Sequence, residues 1–237
     1  VPEPDLAGPD QAVPQCVFLD AGGVFLSPDH DLIVGVLQDV GLAVDRSVLD
    51  RVYYEAVARM DASVVESAEW RERWWAEYCV ALGVPGPLAT DAAMELRRRE
   101  GPWSRVFPGS VEGLCQLAAS GMAIGVISNS VGTVEHELLQ GGVCQAGRGG
   151  LTEALVVIDS HVVGVAKPDP AIFWLAAQRA GVEPERCWYL GDTVFYDVNG
   201  ARAAGLRPIH LDPLGLCPHL ADHDHVTSVA QVGALGP

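Results

Sequence analysis

Residues 16–25 read CVFLDAGGVF, and the fold follows from that stretch. A short apolar run, 16–19, ends on Asp20 and runs straight into Gly22-Gly23. Four apolar residues with no polar alternation describe a strand buried on both faces, as in a parallel sheet. The acid then stands at the strand's C-terminal end, and the glycines mark a tight turn. Downstream, residues 31–40, 47–60, 67–82 and 89–100 show helical spacing and no convincing strand. In the third of these, Trp70, Trp74, Trp75 and Tyr78 recur every three to five residues, as an aromatic helix-packing face does. After Phe107-Pro108-Gly109 strands and helices alternate. Helices are expected over 110–119, 131–139, 169–180 and 196–204. Strands are expected over 122–128, 154–158, 188–192 and 207–212, the last closing the sheet.

Alternation of this kind predicts an α/β chain with a parallel sheet core. The helical block interrupts it after the first strand, so it emerges from the C-terminal edge of the sheet, where open α/β sheets bind ligands. A block inserted there is placed to act as a lid. The expected division is a flexible leader over 1–14, a core over 15–30 and 101–237, and a helical cap domain over 31–100.

Several polar residues follow strand ends. Asp20 ends the first, Ser128-Asn129 the second, and Asp192 a later one, with Asp197 five residues on. Lys167 is the chain's single lysine and lies in GVAKPDP, just before a helix that Pro168 can help start. In a parallel sheet these ends converge. Clustered carboxylates repel one another unless a hard cation sits between them, and Mg²⁺ favours such oxygens and also binds phosphate. Asp20 can ligate the metal through one oxygen and attack phosphorus with the other. Ser128, Asn129 and Lys167 can hold and neutralise the remaining phosphoryl oxygens.

Composition narrows the partners. Fifteen Lys and Arg against 31 Asp and Glu give a formal charge of −16 over 237 residues, which disfavours nucleic acid. A small phosphorylated metabolite remains compatible, because a bound cation dominates one pocket. No stretch reaches the length of a membrane span. The six cysteines form no C-x-x-C pair and read as reduced thiols of a cytoplasmic protein. Monomer and homodimer are both compatible with the helical block.

The four segments CVFLDAGGVF, GVISNS, GVAKPDPAIF and YLGDTVFYDVNGARAAGL resemble the four motifs of the haloacid dehalogenase-like hydrolases. The resemblance covers roughly 14–30 and 105–212, and 31–100 is similar to the family's type-one helical cap. It implies a Rossmann-like core, Asp20 as nucleophile, Ser128 and Lys167 as phosphate-binding groups, and a required Mg²⁺. Asp20, Asp192, Asp197 and the carbonyl oxygen of Gly22 would ligate that ion. It further implies hydrolysis of a phosphomonoester through an aspartyl-phosphate on Asp20. In one respect the chain departs from the pattern. Family phosphatases carry a second Asp two residues after the nucleophile, which protonates the leaving group and then activates water; here that position is Gly22. Losing a positioned acid–base group costs about 10²–10⁴-fold in rate. Three outcomes stay open: Asp29 or His30 stands in, the latter reaching the substrate; the substrate has a good leaving group; or the protein is a weak or silent binder. A 2-haloacid dehalogenase is the rival chemistry. A lysine Schiff base is excluded from the cap, which has no lysine.

Two further clusters are expected to be structural. His210 near the end of the expected last strand, with Cys217, His219, His223 and His225 past it, reads as part of a polar surface segment. Arg97-Arg98-Arg99 reads as a solvated helix end.

Overall fold

Val17 and Leu19 pack into one apolar layer while Cys16 and Phe18 pack into another. That split follows from the two-residue period of a strand covered on both sides. The strand is β1 (Cys16–Leu19), and all four of its residues are buried. The computed structural model describes residues 13–63, 67–99 and 103–236, with only the backbone of 67–72. Most of the expected leader, the junction at 100–101 and the side chain of Trp70 therefore lie outside the described residues.

After β1 come the short β2 (Leu26–Ser27) and four helices, α1 (His30–Asp39), α2 (Leu49–Asp61), α3 (Ser67–Ala81) and α4 (Gly86–Arg99). The antiparallel partner of β2, β3 (Arg105–Val106), brings the chain back. Next are α5 (Ser110–Ala119), β4 (Ala123–Ser128), α6 (Val134–Gln140), β5 (Cys144–Ala146), β6 (Thr152–Ala154), β7 (Val157–Asp159) and α7 (Ser160–Val163). The chain then forms α8 (Pro170–Ala180), β8 (Cys187–Gly191), a wide π turn over Val194–Val198, α9 (Asn199–Ala203), β9 (Arg207–Leu211) and β10 (Asp224–Val226). Six strands form one parallel sheet in the order β10-β9-β8-β1-β4-β7. This is a Rossmann-like α/β fold. Leu114 and Leu117 of α5 cover one face, and Ile172, Phe173, Ala176 and Ala177 of α8 cover the other.

Helices α1 to α4 share an apolar core of their own, including Ile33, Leu37, Val52, Met60, Trp74, Tyr78 and Leu96. The aromatic spacing in α3 does build that core: Trp74 stacks on Tyr78, with ring centroids 5.3 Å apart. Arg98 and Arg99 close α4 on Glu95, as a solvated helix end does.

Three details differ from the sequence reading. The expected strand over 154–158 is two short strands: β6 pairs with β5 in a separate ribbon, and only β7 joins the main sheet. Helix α8 begins at Pro170, one residue later than expected, because Asp169 is its cap: the carboxylate accepts from the Ala171 N–H at 2.9 Å. Nor is β9 the last strand. Residues 224–226 add β10 beside it, so the histidine-rich segment is built into the sheet edge.

Candidate active site

Three of the central strands deliver acids or hydroxyls from their C-terminal ends. Asp20 follows β1, Ser128 ends β4, and Asp192 follows β8. The π turn after β8 carries Asp197 back to the same place, where its Oδ2 accepts from Thr193 N (3.0 Å) and Thr193 Oγ1 (2.6 Å). Oxygens of Asp20, Asp192 and Asp197 all lie within 4.8 Å of one another, and all three side chains are buried.

Lys167 enters this cluster from the segment before α8. Its ammonium lies 2.7 Å from Asp20 Oδ2 and 2.7 Å from Asp197 Oδ1. It also donates to Tyr189 Oη at 2.9 Å. Asn129 holds the lysine's backbone from both sides: its Nδ2 donates to Lys167 O (3.0 Å), and its Oδ1 accepts from Lys167 N (2.8 Å). Asn129 therefore positions Lys167 through its amide, a role not read from sequence. Ser128 is buried at the tip of β4, in register with Asp159 of β7.

The electrostatics show one cation among three acids. Burial pushes Asp20 up to about 6, with Lys167 pulling against it. Burial, then the charges of Asp197 and Asp20, hold Asp192 well above the usual carboxylate range. Burial would raise Asp197 too, but the Lys167 ammonium and the Thr193 donors outweigh it and hold that carboxyl low. Burial tends to strip Lys167 of its proton, and Asp197 and Asp20 more than offset this. The cluster thus holds more carboxyls than one lysine can balance, and Asp192 is the one driven toward its protonated form. An oxygen-only donor set with such an excess fits Mg²⁺.

Two glycines after Asp20 are fixed by their neighbours. Gly23 has φ +72°, and a Cβ there would lie 2.0 Å from Asp192 Oδ2. A Cβ on Gly22 would lie 2.9 Å from the Trp103 ring. The space in which a longer side chain at 22 would start is therefore filled by indole carbon.

The helical block reaches the same cluster. Tyr53 Oη of α2 donates to Asp192 Oδ2 at 2.9 Å, and Tyr54 Oη donates to the Gly23 carbonyl at 2.8 Å. Asp61, at the end of α2, accepts from Val194 N (2.8 Å) and Phe195 N (3.1 Å) of the π turn. Sequence spacing missed Tyr53, Tyr54 and Asp61, because each acts across a long stretch of chain, and Tyr189, which reads as one more residue of a buried strand. The one available signal was the Tyr-Tyr pair on a helix that also carries apolar packing residues.

His30 and Asp29 have other partners. His30 Nε2 lies 3.2 Å from Asp50, which also pairs with Arg105 at 2.7 Å. Burial and the nearby Arg105 charge hold the His30 imidazole below its ordinary value. The Asp29 carboxylate caps α1 by accepting from Asp31 N (2.6 Å) and Leu32 N (3.3 Å). The structure brings Asp20, Asp192, Asp197, Lys167 and Asn129 together; it engages His30 and Asp29 with α2 and α1.

A phosphoserine phosphatase from Thermus thermophilus is 29% identical over 171 residues, 72% of this chain and 66% of that protein. The chain spans about two thirds or less of the length of the curated relatives it matches. Among solved structures, a phosphatase from Thermococcus onnurineus superposes with a TM-score of 0.54 at 18% identity, covering 92% of this chain and 95% of that one. A 2-haloacid dehalogenase from Pseudomonas syringae superposes with a TM-score of 0.53 at 19% identity, covering 93% and 96%. Backbone likeness alone thus spans two chemistries. The family model for haloacid dehalogenase-like hydrolases matches residues 14–205, running from the start of β1 past the end of α9, and the chain belongs to that family.

Proposed function

We propose that the protein is a Mg²⁺-dependent phosphomonoester hydrolase in which Asp20 is the nucleophile. The observation that carries this is the buried cluster of Asp20, Asp192 and Asp197 against a single Lys167. A haloalkanoic acid would bring a further carboxylate into it, whereas a metal-bound phosphoryl group suits it. Relatives with phosphatase names support the same choice.

Asp20 Oδ1 accepts from Ala21 N at 2.7 Å, which fixes the carboxylate's orientation. Its other oxygen faces Lys167. A phosphoryl group at the sheet edge would meet Asp20 as nucleophile, with Lys167 and the Ser128 hydroxyl compensating charge on its oxygens. Asp20, Asp192, Asp197 and the Gly22 carbonyl would hold Mg²⁺, which supplies charge neutralisation and orientation of the phosphoryl group. Attack breaks the P–O ester bond, leaves an aspartyl-phosphate on Asp20 and releases an alkoxide or phenoxide. Hydrolysis of that acyl phosphate regenerates Asp20. With Trp103 packed on Gly22, no carboxyl at 22 protonates the leaving oxygen. The substrate class that fits is an ester whose leaving group is already acidic, such as an aryl or enol phosphate, or one that carries its own proton donor. The same packing favours a second reading, a protein that binds phosphorylated ligands and turns them over slowly.

Phosphate release from para-nitrophenyl phosphate with Mg²⁺, with Asp20→Asn as control, tests this. Turnover lost by at least about 10³-fold on substitution, and lost on chelation, is the expected result. Binding of inorganic phosphate with no turnover above the Asp20→Asn background favours the second reading. Chloride release from 2-chloropropionate would overturn both.

A further inference from the structure

The histidine-rich segment forms a second cluster with different chemistry. His210 lies on β9, and β10 pairs with β9 in parallel with His225 directly opposite His210. His223 precedes His225 by two residues, so both rings fall on the same side of the edge strand. Between the strands, the Asp212 carboxylate accepts from Leu216 N (2.9 Å) and Cys217 N (3.0 Å), folding the loop that carries the Cys217 thiol to 3.8 Å from His223 Nε2. Four atoms, one each from His210, Cys217, His223 and His225, lie within 4.8 Å of one another. His210 and Cys217 are buried, and the His223 side chain is 0% exposed.

The polar groups in this cluster do not satisfy one another. His210 Nε2 sits 3.1 Å from the Asp192 carbonyl; donating there uses the neutral ring's one N–H and leaves Nδ1 with a lone pair. That Nδ1 faces His223 Nε2 at 3.2 Å, and His223 Nε2 is 3.8 Å from Cys217 Sγ. His223 Nδ1 and both nitrogens of His225 are buried without a hydrogen-bond partner. Buried orphaned polar atoms are rare, and several at one point call for a missing partner. A cation at the centre would meet the orphaned His225 Nε2 together with His210 Nδ1, His223 Nε2 and Cys217 Sγ, and leave the two orphaned Nδ1 atoms to the carboxylates beside them. With ligand distances of about 2.0–2.1 Å for nitrogen and 2.3 Å for sulfur, a tetrahedral ion sets N···N edges near 3.3 Å and N···S edges near 3.6 Å. The 3.2 and 3.8 Å separations are close to these. The surroundings suit it as well. His219 N donates to Cys217 Sγ at 3.4 Å, as backbone amides do to thiolates. Asp212 lies 3.7 Å from His225 Nδ1 and Asp222 lies 3.8 Å from His223 Nδ1, carboxylates placed to orient ligating imidazoles.

We propose that His210, Cys217, His223 and His225 form a closed tetrahedral site for a zinc-class divalent ion, separate from the oxygen cluster, which fastens β10 to β9. Four protein ligands leave no open position, so the ion's role is structural. His210 ties this site to the carboxylates through the Asp192 backbone. The donors exclude Mg²⁺, which prefers oxygens.

The test uses the full chain expressed with zinc and dialysed against metal-free buffer. Elemental analysis is expected to find about one zinc per chain, unchanged in Asp20→Asn and lost in the double variant Cys217→Ser, His223→Ala. Cobalt exchanged into the site is expected to give intense tetrahedral d–d bands and a thiolate charge-transfer band that Cys217→Ser abolishes. A second measurement covers the case in which the double variant does not fold. In the unaltered chain, alkylation of Cys217 is expected to be slow until a chelator is added, while the exposed Cys115 reacts at the same rate throughout. A zinc-free chain after expression in zinc, weak octahedral cobalt bands, or Cys217 alkylation indifferent to chelation would each overturn the proposal and leave a dry stack of hydrogen-bonded imidazoles.

Discussion

Two buried polar clusters sit a few ångströms apart along this sheet edge, joined through the backbone of Asp192, and they solve the same problem in opposite ways. The oxygen cluster carries part of its own counter-charge: the Lys167 ammonium contacts two of its three acids, and Tyr53 donates to the third. In the nitrogen–sulfur cluster three nitrogens have no hydrogen-bond partner, the carboxylates of Asp212 and Asp222 standing 3.7 and 3.8 Å away. A catalytic pocket must hold together while its ligand comes and goes, so internal compensation suits it. A site that never releases its ion can leave compensation to the ion. In this comparison, the satisfaction of the polar atoms, rather than the count of acids, separates an exchange site from a permanent one.

The largest effect that would break this contrast is at Lys167. Replacing it with Met leaves Asp20 and Asp197 buried without their cation, and removing one partner of a buried ion pair costs about 3–5 kcal/mol. The urea midpoint of Lys167→Met is expected to fall accordingly and to recover in part with millimolar Mg²⁺. An unchanged midpoint would mean that Lys167 is not the internal counter-charge. The corresponding change in the other cluster predicts the reverse. In chelator-treated protein, His223→Leu removes one orphaned nitrogen together with one hydrogen bond to His210, and should alter stability by no more than about 1 kcal/mol in either direction. In metal-loaded protein the same substitution should lower the melting temperature.

The smallest effect sharpens the comparison with an acid outside both clusters. Asp61 has two backbone donors but no cation, and burial pushes it up to about 7 from an ordinary value of 3.8. A raised carboxyl favours the folded state most when protonated. Its contribution is full below about pH 4 and is lost as pH rises through about 7. Asp61→Asn is therefore expected to flatten the decline in stability over that window by about 1 kcal/mol, read from urea midpoints at pH 5 and 8. A slope equal to that of the unaltered chain would show that Asp61 stays ionised.

What could be read from sequence was what is encoded locally. The run 16–19 followed by Asp20, and the acid behind 188–191, announce strand ends because apolar continuity and a terminal carboxylate are adjacent in the chain. The convergence of Asp20, Asp192, Asp197 and Lys167 then follows from parallel topology alone. Contacts made across the fold were not legible. Tyr53 reaches Asp192 from 139 residues away, and nothing in the spacing of α2 distinguishes it from a packing residue. β10 was missed because DHV is short and two-thirds polar; its strand character comes from pairing with β9 and from the loop that Asp212 folds. Once that strand was missed, its histidines looked like a solvated tail. The mistaken single strand at 154–158 has a similar origin, since a break of two residues sends β6 and β7 to different sheets.

Trp103 has one more consequence. Its ring covers Gly22 just beyond the end of β1, while its centroid lies 5.8 Å from Trp74 and 6.0 Å from Tyr53 of the helical block. Aromatic rings this close share their electronic transitions. Any motion that draws the helices away from the sheet must separate the indoles and rehydrate at least one of them. The molecule therefore carries a native optical gauge of its own opening, readable as near-ultraviolet dichroism or emission wavelength without an attached dye.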